Sequence, residues 1–154
     1  MTVLQMDVTT QAIVVDETLP HSPATVWRVL TDGTLMSRWM MPPDGFEPVV
    51  GTAFTFQTTA AGAWDGLIRC EVLEVEPQKR LSYSWRGGHS DNVGYGSQLD
   101  TEVTWILSEM NGGTRLRLVH SGFLVPRNNV AYRNMSTGWT KVIKQLGDVT
   151  GGQN

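Results

Sequence analysis

Cysteine is nearly missing, since Cys70 is the only one among 154 residues. A lone thiol cannot form an internal disulfide and is too little for a structural zinc or iron–sulfur site, which fits a reducing cytoplasmic setting. Basic residues are also scarce: 12 Lys and Arg stand against 15 Asp and Glu, for a formal net charge of -3. Nucleic-acid surfaces and polybasic membrane patches both need clustered cations, so neither partner is expected. No apolar run approaches the roughly 18 residues that cross a bilayer, and no charged-then-apolar leader opens the sequence. Repeats, low-complexity blocks and Pro/Gly linkers are absent too, so residues 1–154 are expected to form one domain with its core at about 12–147.

Large adaptable apolar side chains, by contrast, are plentiful, with six Trp and seven Met. They serve either a generous core or a surface that accepts varied partners. The stretch QAIVVDETLP (11–20) is β-branched and ends at Pro20, so it reads as a strand. Ser22 then stands as an N-cap before Pro23, with Val26, Trp27 and Leu30 on one helical face. Asp32 and Gly33 interrupt that helix, and Leu35, Met36 and Trp39 mark a second short one before Pro42 and Pro43.

Period-two patterning follows. Phe54 and Phe56 alternate in one run; Ile68, Cys70 and Val72 in the next, with room for a bulge before Val75; then Leu81, Tyr83 and Trp85. Beyond a Gly-rich loop (86–98), two alternating runs flank Asn111-Gly112-Gly113, the clearest hairpin turn in the chain. That loop reads as an ordinary flexible connection, with a flap over one end of a cavity as the second reading. Its GYGS segment lacks the Lys and the helix of a phosphate-binding turn. From about Val130 to Val149, capped by Asn128 or Asn129, apolar residues recur every three or four positions, the pattern of a long amphipathic helix. The first residues and the tail TGGQN read as frayed. The order is that of an α+β domain with its helices on one face of an antiparallel sheet.

Four segments in that order, PATVWRVLTDGTLMSRWM, VLEVEPQKRLSYSW, GGTRLRLVHSGF and GWTKVIKQLGD, resemble the activator of heat-shock-protein-90 ATPase homologue-like family, within the START-like or SRPBCC superfamily named also for the birch-pollen allergen. Where such proteins often carry a second aromatic after Trp39, this chain has Met40. The resemblance implies a helix-grip fold: a curved antiparallel sheet of six to seven strands around a long C-terminal helix, two short helices between strands one and two, and a cavity between sheet and helix.

His120 alternates with Leu116 and Leu118, which places it on the concave face, opposite Arg115 and Arg117. An imidazole at a cavity rim can hydrogen-bond a ligand or, with an ordinary pKa of ~6.5, act as acid or base. A histidine satisfied by its neighbours is the commoner outcome. No carboxylate or nucleophile stands at a recognisable spacing, Glu102 being expected to face solvent. His21 and His89 complete no ligand cluster, so neither a metal nor a cofactor is expected.

The aromatic and methionine side chains define the expected lining for a small apolar ligand: Trp39, Tyr83, Trp85, Trp105, His120, Met135 and Trp139, with Trp64 placed beside Tyr83 and Trp85 on central strands. An enzyme of cyclase, dehydratase or hydrolase type is the alternative by analogy of fold, with His120 and Tyr83 as its acid–base pair. A chaperone ATPase-stimulating module ranks third, because no second domain is there to clamp a large partner. An edge strand and the Met40-Met41 stretch leave room for a homodimer.

Overall fold

The computed structural model describes residues 9–153. Strand β1 (Thr9–Leu19) leads into helices α1 (Pro23–Thr31) and α2 (Gly33–Trp39). Five strands follow, β2 (Ala53–Gln57), β3 (Leu67–Glu76), β4 (Arg80–Gly87), β5 (Leu99–Met110) and β6 (Gly113–Val125), and helix α3 (Asn129–Gly151) closes the order. Among the described residues the sheet has six strands, all antiparallel, in the order β1-β6-β5-β4-β3-β2. It is the lower of the two strand numbers expected. β1 bypasses its sequence neighbours and pairs with β6, so the sheet's two edges are β1 and β2.

Local chemistry sets the boundaries. The Ser22 hydroxyl accepts from the Thr25 amide and Pro23 sits in the first turn of α1. Asp32 ends α1 and caps α2, its carboxylate accepting from the Thr34 and Leu35 amides. Asn111 and Gly112 both take positive φ, 48° and 82°, the backbone a two-residue hairpin needs. The bulge in β3 lies between Val72 and Glu74. It turns Leu73 outward, while the neighbouring Glu71 amide donates to the Ser84 hydroxyl at 2.9 Å.

A second bulge decides what β6 shows the core. Pairing with β1 shifts between Gln11 and Ala12, which oppose Phe123 and Ser121, so Gly122 is the extra residue. Its φ of 101° suits glycine, and a side chain there would press on the Asp100 carbonyl at 3.2 Å. The result is a change of phase: Leu116, Leu118 and His120 face inward before the bulge and Phe123 after it, all buried.

Two expectations need correction. Asn128 precedes α3 but makes no capping bond to it. Its buried side chain accepts from the Leu124 amide and donates to the Ser97 hydroxyl and Gln98 carbonyl, tying the end of β6 to the 88–98 loop. The tail is ordered through Gln153, whose side chain accepts from Arg28 at 3.0 Å, so helix contacts replace the expected fraying. The first residues lie outside the described ones.

The outer face carries the charges. Arg117 makes paired bonds to Asp16 across β1 and β6 at 3.0 and 3.1 Å, and that guanidinium holds the Asp16 carboxyl below its ordinary range. Cys70 points inward on β3, where burial pushes its thiol up to about 12.

Candidate functional site

The middle of the space between sheet and α3 is filled. Trp39 enters from the end of α2, its indole N–H donating to the Val29 carbonyl at 3.0 Å. It meets Trp105 edge-on at 5.6 Å, and Trp105 meets Trp139 of α3 at 5.8 Å. The Trp105 N–H donates to the Tyr83 hydroxyl at 3.0 Å, and burial raises the Tyr83 pKa above the ordinary phenol value. Trp39, Tyr83 and Trp105, expected to line a cavity, instead occupy its centre and hydrogen-bond one another or the backbone.

His120 sits in the same layer and is 0% exposed, which replaces the expected rim position with a sealed one. Trp139 Nε1 donates to its Nδ1 at 2.9 Å, and its Nε2 lies 2.7 Å from the Thr101 hydroxyl. Thr101 spends its single proton on the Trp85 carbonyl, also at 2.7 Å. The hydroxyl must therefore accept, so Nε2 carries the imidazole proton and Nδ1 offers its lone pair to Trp139. Both ring nitrogens are used by neutral imidazole, and burial lowers the pKa to about 3. His120 and Tyr83 do not form the expected acid–base pair: the imidazole is committed to Trp139 and Thr101 and the phenol oxygen to Trp105, and neither lines the cavity or the groove described below. Glu102 is exposed, as its register requires.

Open space lies toward one end, beneath the loops at 58–66 and 88–97 and beside the first turns of α3. It is a cavity of about 200 Å³. Trp85 and Ile68 form its floor, Leu99 one side, Ala131 and Met135 the α3 wall, and Trp64, Tyr95 and Met41 the mouth. Thr58, Ser97 and Asn134 supply polar side chains, and among the described residues no ionisable acid or base other than the Tyr95 phenol lines it. Trp64 stands in a turn between β2 and β3 rather than on a strand; its N–H donates to the Leu67 carbonyl at 3.0 Å.

The roof is pinned by one side chain. Asn92 accepts from the Ala63 amide at 3.0 Å and donates to the carbonyls of Ala61 and Gly96 at 2.7 and 3.1 Å. The Gly-rich loop thus covers one end of the space, fastened rather than loose.

Beside the cavity, a groove of about 240 Å³ runs between Met40 and α3, past Gly138, Trp139, Val142 and Gln145. Met41, Trp85 and Met135 belong to both. Of the seven lining residues expected, Trp85 and Met135 border both spaces, Trp139 borders the groove, and the other four border neither. Ile68, Leu99 and Ala131 carried an ordinary core signal, while Tyr95 and Asn134 carried none. Among the described residues no group of three or more His, Cys, Asp or Glu side chains is placed to hold a metal ion.

A curved six-stranded antiparallel sheet gripping one long C-terminal helix, with two short helices after the first strand, defines a helix-grip protein of the START-like class. Residues 20–151 match the model of the family described as Activator of Hsp90 ATPase homolog 1-like protein, and the chain belongs to that family. Protein MLL2253 from Mesorhizobium loti is 35% identical, with a TM-score of 0.81 over 94% of this chain and 99% of that one. CalU16 from Micromonospora echinospora is 23% identical, with a TM-score of 0.70 over 94% of this chain and 83% of that one. The Aha1 dimer from Colwellia psychrerythraea is 19% identical, with a TM-score of 0.70 over 91% and 96%. The last two likenesses are of fold alone. No curated protein matches the chain.

Proposed function

We propose that the protein binds a small apolar or aromatic molecule in the cavity between Trp85 and the first turns of α3. The observation that carries this reading is the wall itself, an apolar enclosure of about 200 Å³ left open in a domain whose centre is otherwise packed with rings. Tryptophan and tyrosine at the mouth suit the face of an aromatic guest, and the Thr58 and Asn134 side chains offer it polar contacts. Uncharged one- and two-ring aromatics, each at about ten times its Kd, should stabilise the fold by about 1.4 kcal/mol, read as a rise in Tm of roughly 3 to 5 °C. Ala131→Phe, which puts a ring into the cavity from α3, should remove that rise. A flat thermal response across a broad panel counts against the proposal.

The enzyme reading loses its two expected residues to the core, and nothing else in the site favours it. The chaperone reading is supported by the family description alone, and co-precipitation with an ATPase assay tests it. A homodimer is compatible with the position of β1 at an edge of the described sheet, and sedimentation would read it directly.

A further inference from the structure

The cavity and the groove lie end to end along one face of α3. Asn134 and Met135 border the first, while Met135, Gly138, Val142 and Gln145 border the second, a spacing that keeps them on one side of the helix. The division between the two spaces is made by Met41, Met135 and Trp85. Trp85 is fixed: it is 3% exposed and held edge-on by His120 at 5.5 Å and Trp139 at 5.7 Å. The two methionines are only part-buried, and an unbranched thioether turns about three bonds at little cost. A rigid ring with two swinging side chains makes a partition that a ligand can displace.

What lies on either side is chemically alike. Among the described residues no Asp, Glu, Lys, Arg or His lines either space. Beyond the partition Gly138 leaves the floor open, since a Cβ there would meet nothing within 4 Å. Each space carries one exposed carboxamide, Asn134 beside the partition in the cavity and Gln145 at the far end of the groove. From Ala131 to Gln145 the two spaces together run along about 21 Å of the helix.

We propose that cavity and groove are two halves of one elongated site, gated by Met41 and Met135, for an uncharged polycyclic aromatic molecule lying along α3, with neutral hydrogen-bonding groups opposite Asn134 near its middle and Gln145 at one end. The proposal rests on the ligand-binding reading above. Length follows from volume, because an apolar cavity of about 150 Å³ takes a single benzene ring, so each half suits one or two rings. Neutrality follows from the walls, where an ion would lose hydration and meet no counter-charge. The amides then match carbonyl or hydroxyl groups rather than carboxylates.

Three related probes separate these features: 1-naphthylamine, the longer N-phenyl-1-naphthylamine, and 8-anilino-1-naphthalenesulfonate, the longer amine carrying a sulfonate. Titrated into the wild-type protein, the three-ring amine should bind about tenfold more tightly than the two-ring fragment, and the sulfonate about tenfold more weakly than its parent. Gly138→Leu fills the groove at a position where a side chain has room. It should abolish the three-ring advantage while leaving 1-naphthylamine affinity within about twofold. Met135→Ala removes the partition and should strengthen binding of the three-ring amine alone. A ratio of the two amines unchanged in both variants overturns the joint site and leaves the cavity reading standing. Sulfonate binding as tight as that of its parent overturns the neutral ligand. Failure of both amines to bind the wild-type protein defeats the ligand-binding reading itself.

Discussion

Trp105→Ala is expected to destabilise the native state by about 3–5 kcal/mol, the range for removing a large aromatic from a packed interior. Trp105 is 0% exposed and stands between Trp39 and Trp139, so its loss empties the place where sheet, α2 and α3 meet. The substitution also strips the Tyr83 hydroxyl of its indole donor. Trp105→Phe keeps a ring but not the N–H, and should cost about 1–3 kcal/mol. Chemical denaturation of the three proteins measures both numbers. Equal stability of wild type and Trp105→Ala would mean that the central rings are not the core.

The second large effect is one of pH. His120 has its pKa lowered from an ordinary 6.5 to about 3 by burial. Between those values the unfolded chain binds a proton that the folded one refuses, so stability rises with pH across this window and is lost as pH falls. Integrated from pH 7 to pH 4, the histidine alone should cost about 3 kcal/mol. His120→Gln keeps one donor and one acceptor for Thr101 and Trp139 but does not titrate. That variant should be less stable at pH 7 and lose about 3 kcal/mol less than wild type on acidification. Parallel stability curves for the two proteins would refute the sealed, neutral histidine.

The difference between what could and could not be read in the sequence lies in direction against depth. Alternation through Leu116, Leu118 and His120 places all three on the inner face, and the structure keeps them there because pleating fixes the side a residue faces. Alternation carries no information on height along the strand or on what comes down from the opposite layer. Trp139 arrives over His120 and Trp39 over Trp105 only when α2 and α3 dock, so a predicted rim became a core. Open space moved to the end where the 58–66 and 88–97 loops replace a helix as the cover. Asn92 and Asn128 illustrate the same limit: each looks like an ordinary loop or capping amide, and its partners are some thirty positions away, with Asn92 to Ala61 at a separation of 31 and Asn128 to Ser97 also at 31. Trp64 looked like strand because it lies just before one, and its bond to Leu67 belongs to a turn.

The pairing of β1 with β6 has a consequence for how the chain is made. Asp16 and its partner Arg117 are 101 positions apart. At about 5–20 residues per second on the ribosome, the first strand emerges several seconds before the segment that will cover its inner edge exists. Over that interval Ile13, Val14 and Val15 form an unpaired β-prone run, a window in which nascent chains can join edge to edge. The closing of the sheet, a loop closure over two-thirds of the sequence, is thus a late event in the life of each new molecule. Among the described strands, the one made earliest gains its partner only when the last has been made.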